Sequence, residues 1–512
     1  MTAARRLLPS AGAAVAAGLA QAASIAWPGS GQALWWLQIA SLAMLVPLLL
    51  RQPGAGRAAF IGGLFATAWL AGCWWWLFIS MHVYGGLAAP LAVLAVLALA
   101  AGLGSYYALA AAGAWWLCRG QPGRWAAAAV FAGLWLLAEL TRGVLFTGFP
   151  WGAGGYAHVE GPLAVLAPWI GVYGIGFVAA LIAALPSTAG WRGGLLAVAL
   201  LLAAALLPRA PGGESAGRLS VALLQGNISQ DEKFQGGTGI PLALDWYARE
   251  LMGSKAALVV APETAIPLLP AELPEGYLAA LGRHFGQGEQ AALVGIPLGS
   301  FQDGYTNSVI GIRPGADVYR FDKHHLVPFG EFIPPLFRWF TDLMNIPLGD
   351  FDRGAVGQPS FEWQGQRLAP NVCYEDLFGE ELGARFRDPA RAPTIFVNVS
   401  NIGWFGNTVA IDQHLHISRM RALEFQRPVI RATNTGATAI IDHRGAVTHL
   451  LPRHTRGVLE GEVEGRHGLT PFTRWVAAWG LAPLWLLGGG LAALGLVAHR
   501  SRHRRGRLSA YP

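Results

Sequence analysis

Acidic side chains are almost missing from the first 208 residues. Only Glu139 and Glu160 fall there, and every other carboxylate lies between Arg209 and Glu464. A segment so poor in acid cannot present an ordinary water-soluble surface. It belongs in lipid, where a charge at the bilayer centre costs about 2.5–3.5 kcal/mol or more. The whole chain is 13% charged and 53% hydrophobic, against roughly 25% charged for soluble domains. The charge pattern thus divides the chain into a long apolar block, a soluble block and an apolar tail.

A membrane helix needs about 20 mostly apolar residues. Eight runs qualify, near 7–26, 32–50, 58–80, 87–117, 125–142, 161–186, 192–208 and 475–498. Run 87–117 is long enough to tilt strongly or to extend beyond the bilayer. Basic residues mark alternate ends of these runs: Arg5 and Arg6, Arg51 and Arg57, Arg119 and Arg124, Arg192, and the tail residues Arg500, Arg502, Arg504, Arg505 and Arg507. The loops 27–31, 81–86 and 143–160 carry no Lys or Arg. Arginine accumulates on the cytoplasmic side, so both termini are expected there and the soluble block on the opposite face. The net charge of +7 is therefore membrane topology, and no nucleic-acid partner is expected. Arg142 breaks the alternation, and Glu139 is three residues away, the spacing of an ion pair on one helix face; a lipid head-group site is the functional alternative. Arg5-Arg6 before an apolar run, with Ala20-Gln21-Ala22 after it, also has the form of a signal peptide. Its removal would leave the soluble block on the same side. Trp35-Trp36, Trp74-Trp75-Trp76 and Trp115-Trp116 lie near span ends, as in an interfacial aromatic belt. Gly174 to Ala179 spells a dinucleotide fingerprint, but inside an apolar span with no preceding strand, so it is set aside.

The expected domains are 1–208 as a transmembrane domain of seven spans, 218–465 as a catalytic domain, 475–498 as a final span and 499–512 as a basic cytoplasmic tail. Within 218–465, β-branched runs at 219–226, 257–262, 292–296, 306–313, 317–321, 367–373, 394–399, 429–433, 437–442 and 457–463 read as strands. Stretches 241–253, 273–286, 376–387 and 409–426 read as helices. Strands mixed with helices imply a layered α/β domain.

Three cysteines are present, two of them in apolar runs, so a disulfide framework is excluded. The third, Cys373, is either an inert core thiol or a nucleophile. Three chemically useful residues sit at or just past strand-like runs: Glu263 after Leu258–Pro262, Lys323 after Val318–Phe321, and Cys373 after Leu368–Val372. Strand ends are where side chains from separate segments converge in layered α/β folds. A thiol needs a base, a carboxylate in a dry pocket can act as one, and an ammonium can stabilise the oxyanion that forms on an attacked acyl carbon. Taken singly, a Glu or a Lys is usually a solvated surface residue. His324-His325 and His414-x-His416 invite a metal reading. The first pair lies inside the lysine segment and the second is not spaced to share one helix face, so no metal and no cofactor are expected.

The segments themselves resemble a known family. Ala261-Pro262-Glu263-Thr264-Ala265, then Phe321-Asp322-Lys323-His324-His325-Leu326-Val327-Pro328-Phe329-Gly330-Glu331, then Val372-Cys373-Tyr374-Glu375 are similar to the three signature segments of the nitrilase superfamily. That resemblance covers roughly 218–465 and implies an α-β-β-α sandwich with a Glu-Lys-Cys triad. The lysine segment, the flanking spans, Thr147-Gly148-Phe149-Pro150-Trp151 and Met420-Arg421-Ala422-Leu423-Glu424 narrow it to the membrane-embedded apolipoprotein N-acyltransferase branch. The expected fold is thus a polytopic α-helical membrane domain of about eight spans plus a nitrilase-like α-β-β-α sandwich.

The resemblance implies Glu263 as base, Lys323 as oxyanion stabiliser and Cys373 as nucleophile, with Glu331, Tyr374 and Glu375 in support. It implies a ping-pong reaction: Cys373 takes an acyl chain from a membrane phospholipid as a thioester, then passes it to the N-terminal amine of a diacylglyceryl apolipoprotein. A monomer in the bacterial inner membrane is expected, with its catalytic domain in the periplasm as the basic loops place it. Two departures from the family pattern are visible, Phe234 after Lys233 and Ile402 after Ser400-Asn401, and neither is expected to touch the triad. The apolar stretch Phe332–Phe340, with Phe337, Trp339 and Phe340, is expected to dip toward the bilayer and guide lipid; the alternative is a buried core segment. The nearest rival function is a membrane-anchored nitrilase-type amidase acting on a small amide. A transporter is less compatible, because the spans hold almost no ionisable residues.

Overall fold

The structure is a computed structural model and describes residues 3–118, 124–208, 212–334 and 350–508. The chain divides into two compact units. One comprises Met1–Trp75, Pro90–Ala210 and Leu481–Pro512; the other comprises Trp76–Ala89 and Pro211–Gly480.

The first unit is helical. Among the described residues, five helices are long and apolar enough to cross a membrane, or up to six if Ala55–Trp74 and Leu77–Tyr84 form one bent span. Trp35–Leu50 is a shorter apolar helix. The run Ala89–Cys118 is a single helix of 30 residues, about 45 Å at 1.5 Å per residue and longer than a hydrocarbon core. The segment Ala167–Leu206 is interrupted at Gly190, φ +64°. A β-carbon on Gly193 would lie 2.1 Å from the Leu185 carbonyl. Residues eight apart in a straight helix are about 12 Å apart, so the chain doubles back at Gly190, where the sequence places a boundary between two spans. At the other end the expected run 475–498 is divided. Gly480 takes φ +55° and separates helix Pro471–Trp479 from helix Ala482–Leu508.

Two readings of this unit change. Glu139 and Arg142 are both buried on helix Arg124–Val144, yet the hydrogen bonds of their charged groups go elsewhere. Glu139 Oε1 accepts from Gly154 N–H at 2.9 Å; Arg142 donates to Tyr107 Oη at 2.9 Å and to the Trp151 carbonyl at 3.0 Å. The loop bearing Phe149–Gly154 is thereby tied to the helix, a link that i,i+3 spacing alone cannot reveal. The tryptophans also split. Trp36, Trp75 and Trp116 are exposed as a belt requires, whereas Trp74 and Trp76 are buried. Gly174 and Gly176 sit mid-helix, and Gly176 leaves room for the Glu139 carboxylate.

The second unit contains two six-stranded sheets. The strands are β1 (Ser215–Gln225), β2 (Leu258–Val260), β3 (Ala291–Ser300), β4 (Gly304–Ile312), β5 (Tyr319–Asp322), β6 (Phe361–Trp363), β7 (Gln366–Val372), β8 (Ile395–Ser400), β9 (Val429–Thr433), β10 (Ala439–Ile441), β11 (Val447–Leu450) and β12 (Gly457–Arg466). One sheet runs β12-β1-β2-β3-β4-β5 and the other β11-β10-β9-β8-β7-β6. Strands β1-β2-β3 and β7-β8-β9 are parallel, and their outer neighbours are antiparallel.

Strand periodicity of two builds the layers. Leu219, Val221 and Leu223 of β1 join Leu368, Ile395, Val397 and Ile430 of the opposite sheet in one core. The alternate residues Ala222 and Leu224 face Trp246, Tyr247, Leu251, Leu281 and Phe285 of helices Gly239–Gly253 and Tyr277–Gln287. Phe396, Val429 and Ile441 on the far face of the second sheet pack on Phe386, Phe425, Phe472 and Val476. The result is an α-β-β-α sandwich.

All ten expected strands are present; β6 and β11 were not foreseen. Strand β6 is three residues long and joins β7 through Gln364-Gly365, both at positive φ, the backbone of a two-residue hairpin. The expected helix 376–387 is broken into short turns at 373–377, 379–383 and 384–386. Glycines at 379 and 383 weaken helix propensity and fit against Arg421 and Val476.

Gly295 on β3 locates the end of β2. A β-carbon there would fall 2.2 Å from the Pro262 carbonyl and 2.8 Å from Glu263 Cα. Gly295→Ala should therefore destabilise the protein by about 1–3 kcal/mol through overpacking. Gly282 lies inside a helix with open space around it, and Gly282→Ala should stabilise by about 0.5–1 kcal/mol. Thermal unfolding of the two variants in detergent checks the contrast.

Candidate active site

Glu263 lies just past β2, Lys323 directly after β5 and Cys373 directly after β7. The first two hang from one sheet and the third from the other. The structure brings all three together. Lys323 Nζ is 1% exposed and lies 2.8 Å from Glu331 Oε1 and 3.5 Å from Glu263 Oε1. Burial by itself would favour neutral lysine, but the Glu331 and Glu263 carboxylates and the nearby Cys373 outweigh it and hold the ammonium well above its usual pKa. The lysine is a fixed cation.

Cys373 is the counterpart. Burial raises its thiol pKa first, the Glu263 carboxylate raises it further, and Lys323 and Ser400 offset only part, leaving it pushed up to about 12. At rest it is a thiol, so a thiolate forms only as a base removes the proton. Cys373 also takes φ +51°, a conformation that costs a residue with a β-carbon about 1–3 kcal/mol.

The supporting residues find places as well. Glu331 Oε2 accepts from Val327 N–H at 2.8 Å, and Glu331 is the closer of the two carboxylates to Lys323. Glu375 joins two of the site segments. Its Oε2 accepts from Val372 N–H at 2.7 Å and its Oε1 from His324 N–H at 2.7 Å and His325 N–H at 3.2 Å. Burial raises its pKa despite these donors and Lys323. Tyr374 is buried with its ring edge-on to Phe378. Phe337, Trp339 and Phe340 lie outside the described residues.

Sequence reasoning missed three groups at the site. Asn307 of β4 donates from one Nδ2 to Glu263 Oε1 and Glu331 Oε1, both at 2.7 Å. The polar run Thr306-Asn307-Ser308 inside an apolar strand was the available signal. Asn401 N–H donates to Glu263 Oε2 at 2.8 Å, and Lys233 Nζ to the Glu263 carbonyl at 3.1 Å. The contacts with Glu263 thus come from Lys233 and Asn401, the neighbours of Phe234 and Ile402. Burial lowers the Lys233 pKa to about 7, with Glu263 and Cys373 opposing. The histidines divide too: His414 is buried against the Cys373 carbonyl, while His325 stacks on Phe378 and contacts Glu381.

Asn307→Leu should leave two buried carboxylate oxygens short of a donor, each at a cost of about 1–3 kcal/mol. Its activity should fall further than its thermal stability, measured side by side. The ultraviolet thiolate absorbance of wild type minus Cys373→Ala should be absent at neutral pH and emerge only in strong alkali, because the folded pKa is raised.

Residues 17–185 match the family model of the apolipoprotein N-acyltransferase N-terminal domain, and residues 220–470 match that of carbon-nitrogen hydrolase. The apolipoprotein N-acyltransferase of Verminephrobacter eiseniae is 62% identical, with 96% of this chain and 97% of that protein covered. That of Ralstonia nicotianae is 47% identical, covering 92% and 90%, and that of Bordetella bronchiseptica 43%, covering 96% and 96%. A solved CN-hydrolase superfamily protein of Xanthomonas campestris aligns at 18% identity over 52% of this chain and 96% of that one, with a TM-score of 0.37 too low to add weight. With both of its blocks matched and full-length relatives at this identity, the chain belongs to the apolipoprotein N-acyltransferase family.

Proposed function

We propose that this enzyme moves an acyl chain from a membrane phospholipid to the N-terminal amine of the diacylglyceryl-cysteine of an apolipoprotein, by way of a thioester on Cys373. The observation that carries the reading is the buried Lys323, 2.8 Å from Glu331 and 3.5 Å from Glu263, with Cys373 in its electrostatic reach. Glu331 is the nearer partner of the lysine, which leaves Glu263 to exchange protons.

In the first half-reaction Glu263 takes the Cys373 proton as sulfur attacks the ester carbonyl. Negative charge gathers on the carbonyl oxygen, and Lys323 with a main-chain N–H stabilises it. Collapse breaks the ester C–O bond. The departing alkoxide takes the proton from Glu263 and leaves as lysophospholipid. In the second half the acceptor amine attacks the thioester carbonyl and gives up a proton to Glu263. The C–S bond breaks, the thiolate is reprotonated and the amide is released. A thiol with a pKa near 12 is a poor resting nucleophile, so acylation waits for a bound ester.

Apolar helices long enough to cross a membrane support a lipid donor. The loop arginines support an inner-membrane enzyme with the sandwich on the periplasmic side. A monomer suffices, since every group named comes from one chain. The rival amidase reading is not favoured by a family of acyltransferases.

Incubation with phospholipid and intact-mass measurement tests the proposal. An acyl adduct is expected on the wild type and none on Cys373→Ala. Lys323→Met should slow adduct formation by about 10²–10³, the usual loss for one oxyanion donor. Adduct formation that persists in Cys373→Ala would sink the reading.

A further inference from the structure

Cys373 holds its left-handed backbone only because its surroundings over-determine it. Its carbonyl oxygen accepts from Asn398 Nδ2 at 3.2 Å and from His414 Nε2 at 3.1 Å. Both side chains are fully buried. Behind His414 stands a charged cluster that the reaction as written does not use. His414 Nε2 is also 3.0 Å from Asp376 Oδ1, and Arg431 Nη2 is 3.2 Å from His414 Nδ1. Arg431 Nη1 reaches Asp376 Oδ2 at 3.3 Å and the His414 carbonyl at 3.2 Å. Ser418 bonds both Asp376 and Arg431.

The protonation pattern follows from arginine chemistry. A guanidinium donates and cannot accept. The imidazole nitrogen facing Arg431 must therefore accept, so the ring hydrogen resides on Nε2, the atom aimed at Asp376 and the Cys373 carbonyl. Asp376 accepts from His414 Nε2–H, Arg431 and Ser418, and although burial works against it, its carboxyl is held below the usual range.

Helix Ala410–Phe425, which carries His414, packs through Ala422 and Phe425 on the outer face of the second sheet. Glu263 and Lys323 hang from the first sheet. In a trans peptide the C=O and the next N–H point in opposite directions. A Cys373 carbonyl held toward His414 turns the Tyr374 N–H the opposite way, away from His414. We propose that His414, its tautomer set by Arg431 and Asp376, is a positioning residue that aims the Tyr374 N–H at the acyl oxygen carried on Cys373. The proposal rests on Cys373 being the acyl-carrying nucleophile. The cluster neither contacts the acyl group nor moves a proton; it fixes the orientation of one peptide.

Two rates on the purified full-length protein separate this role from simple support. Alkylation of Cys373 by iodoacetamide forms no oxyanion, whereas acylation by phosphatidylglycerol in detergent micelles does; release of lysophospholipid follows the latter. His414→Ala should slow acylation about 10²-fold and leave alkylation within about threefold, since only acylation needs the oxyanion donor. His414→Gln can donate to Cys373 and accept from Arg431, and should recover most of the acylation rate. Ser418→Ala, a smaller perturbation, should show a weaker loss confined to acylation, and serves if His414→Ala does not fold. Equal losses in both rates, no loss in either, or a glutamine variant no better than alanine would overturn the proposal. Lysophospholipid release by Cys373→Ala would remove the nucleophile itself; an inert Cys373→Ala beside a fully acylating His414→Ala would remove only the role given to His414.

Discussion

The second unit is organised around one buried cation. Lys323 Nζ is withdrawn from water and lies between the carboxylates of Glu331 and Glu263. An ammonium so placed is stable only while its partners remain, because removing one partner of a buried pair typically costs about 3–5 kcal/mol. The lysine follows β5, Glu263 follows β2, and Glu331 comes from the loop after the lysine. Their meeting requires β2, β3, β4 and β5 to be in register. Gly295 lets β3 approach the Pro262–Glu263 backbone, and Asn307 on β4 bonds both carboxylates from one nitrogen. The sheet order is therefore tied to the chemistry.

The thiol comes from the other sheet, and separate devices align it. Glu375 bonds the end of β7 and the backbone of His324 and His325 at once, linking the cysteine segment to the lysine segment. Asn398 and His414 both donate to the carbonyl of a cysteine in the left-handed conformation. Buried polar groups with few alternatives rigidify a site when their bonds are made, and this site is built largely of such groups. Under the proposed reaction the thiol and the ammonium divide the labour: charge appears on sulfur and on the acyl oxygen only as the bond forms.

Much of this was legible beforehand. The strands of 218–465 were readable because most bury apolar side chains on a strand period, and Glu263, Lys323 and Cys373 fall at strand ends. Strand β6 was not legible, since three residues carry no periodicity. The helix expected at 376–387 failed because close packing at Gly379 and Gly383 matters more there than the apolar pattern. Asn307, Asn401 and Lys233 were missed because their partners are 44, 138 and 30 residues distant along the chain, and no local pattern encodes such pairings. The Glu139–Arg142 spacing told only part of the story: the two charged groups also hold the loop around Phe149–Gly154, which is distant from i,i+3 logic.

By itself the sequence determined the division into apolar and soluble blocks, most of the strand and helix pattern, and the placement of Glu263, Lys323 and Cys373 at strand ends. These follow from hydropathy, periodicity and motif, which are local properties of the chain. The tertiary structure alone decided that Lys323 is shared by two carboxylates, that Cys373 is strained and neutral, and that His414 faces a carbonyl. Charge state, backbone strain and tautomer depend on burial and on partners far away in the chain, and only folding supplies both.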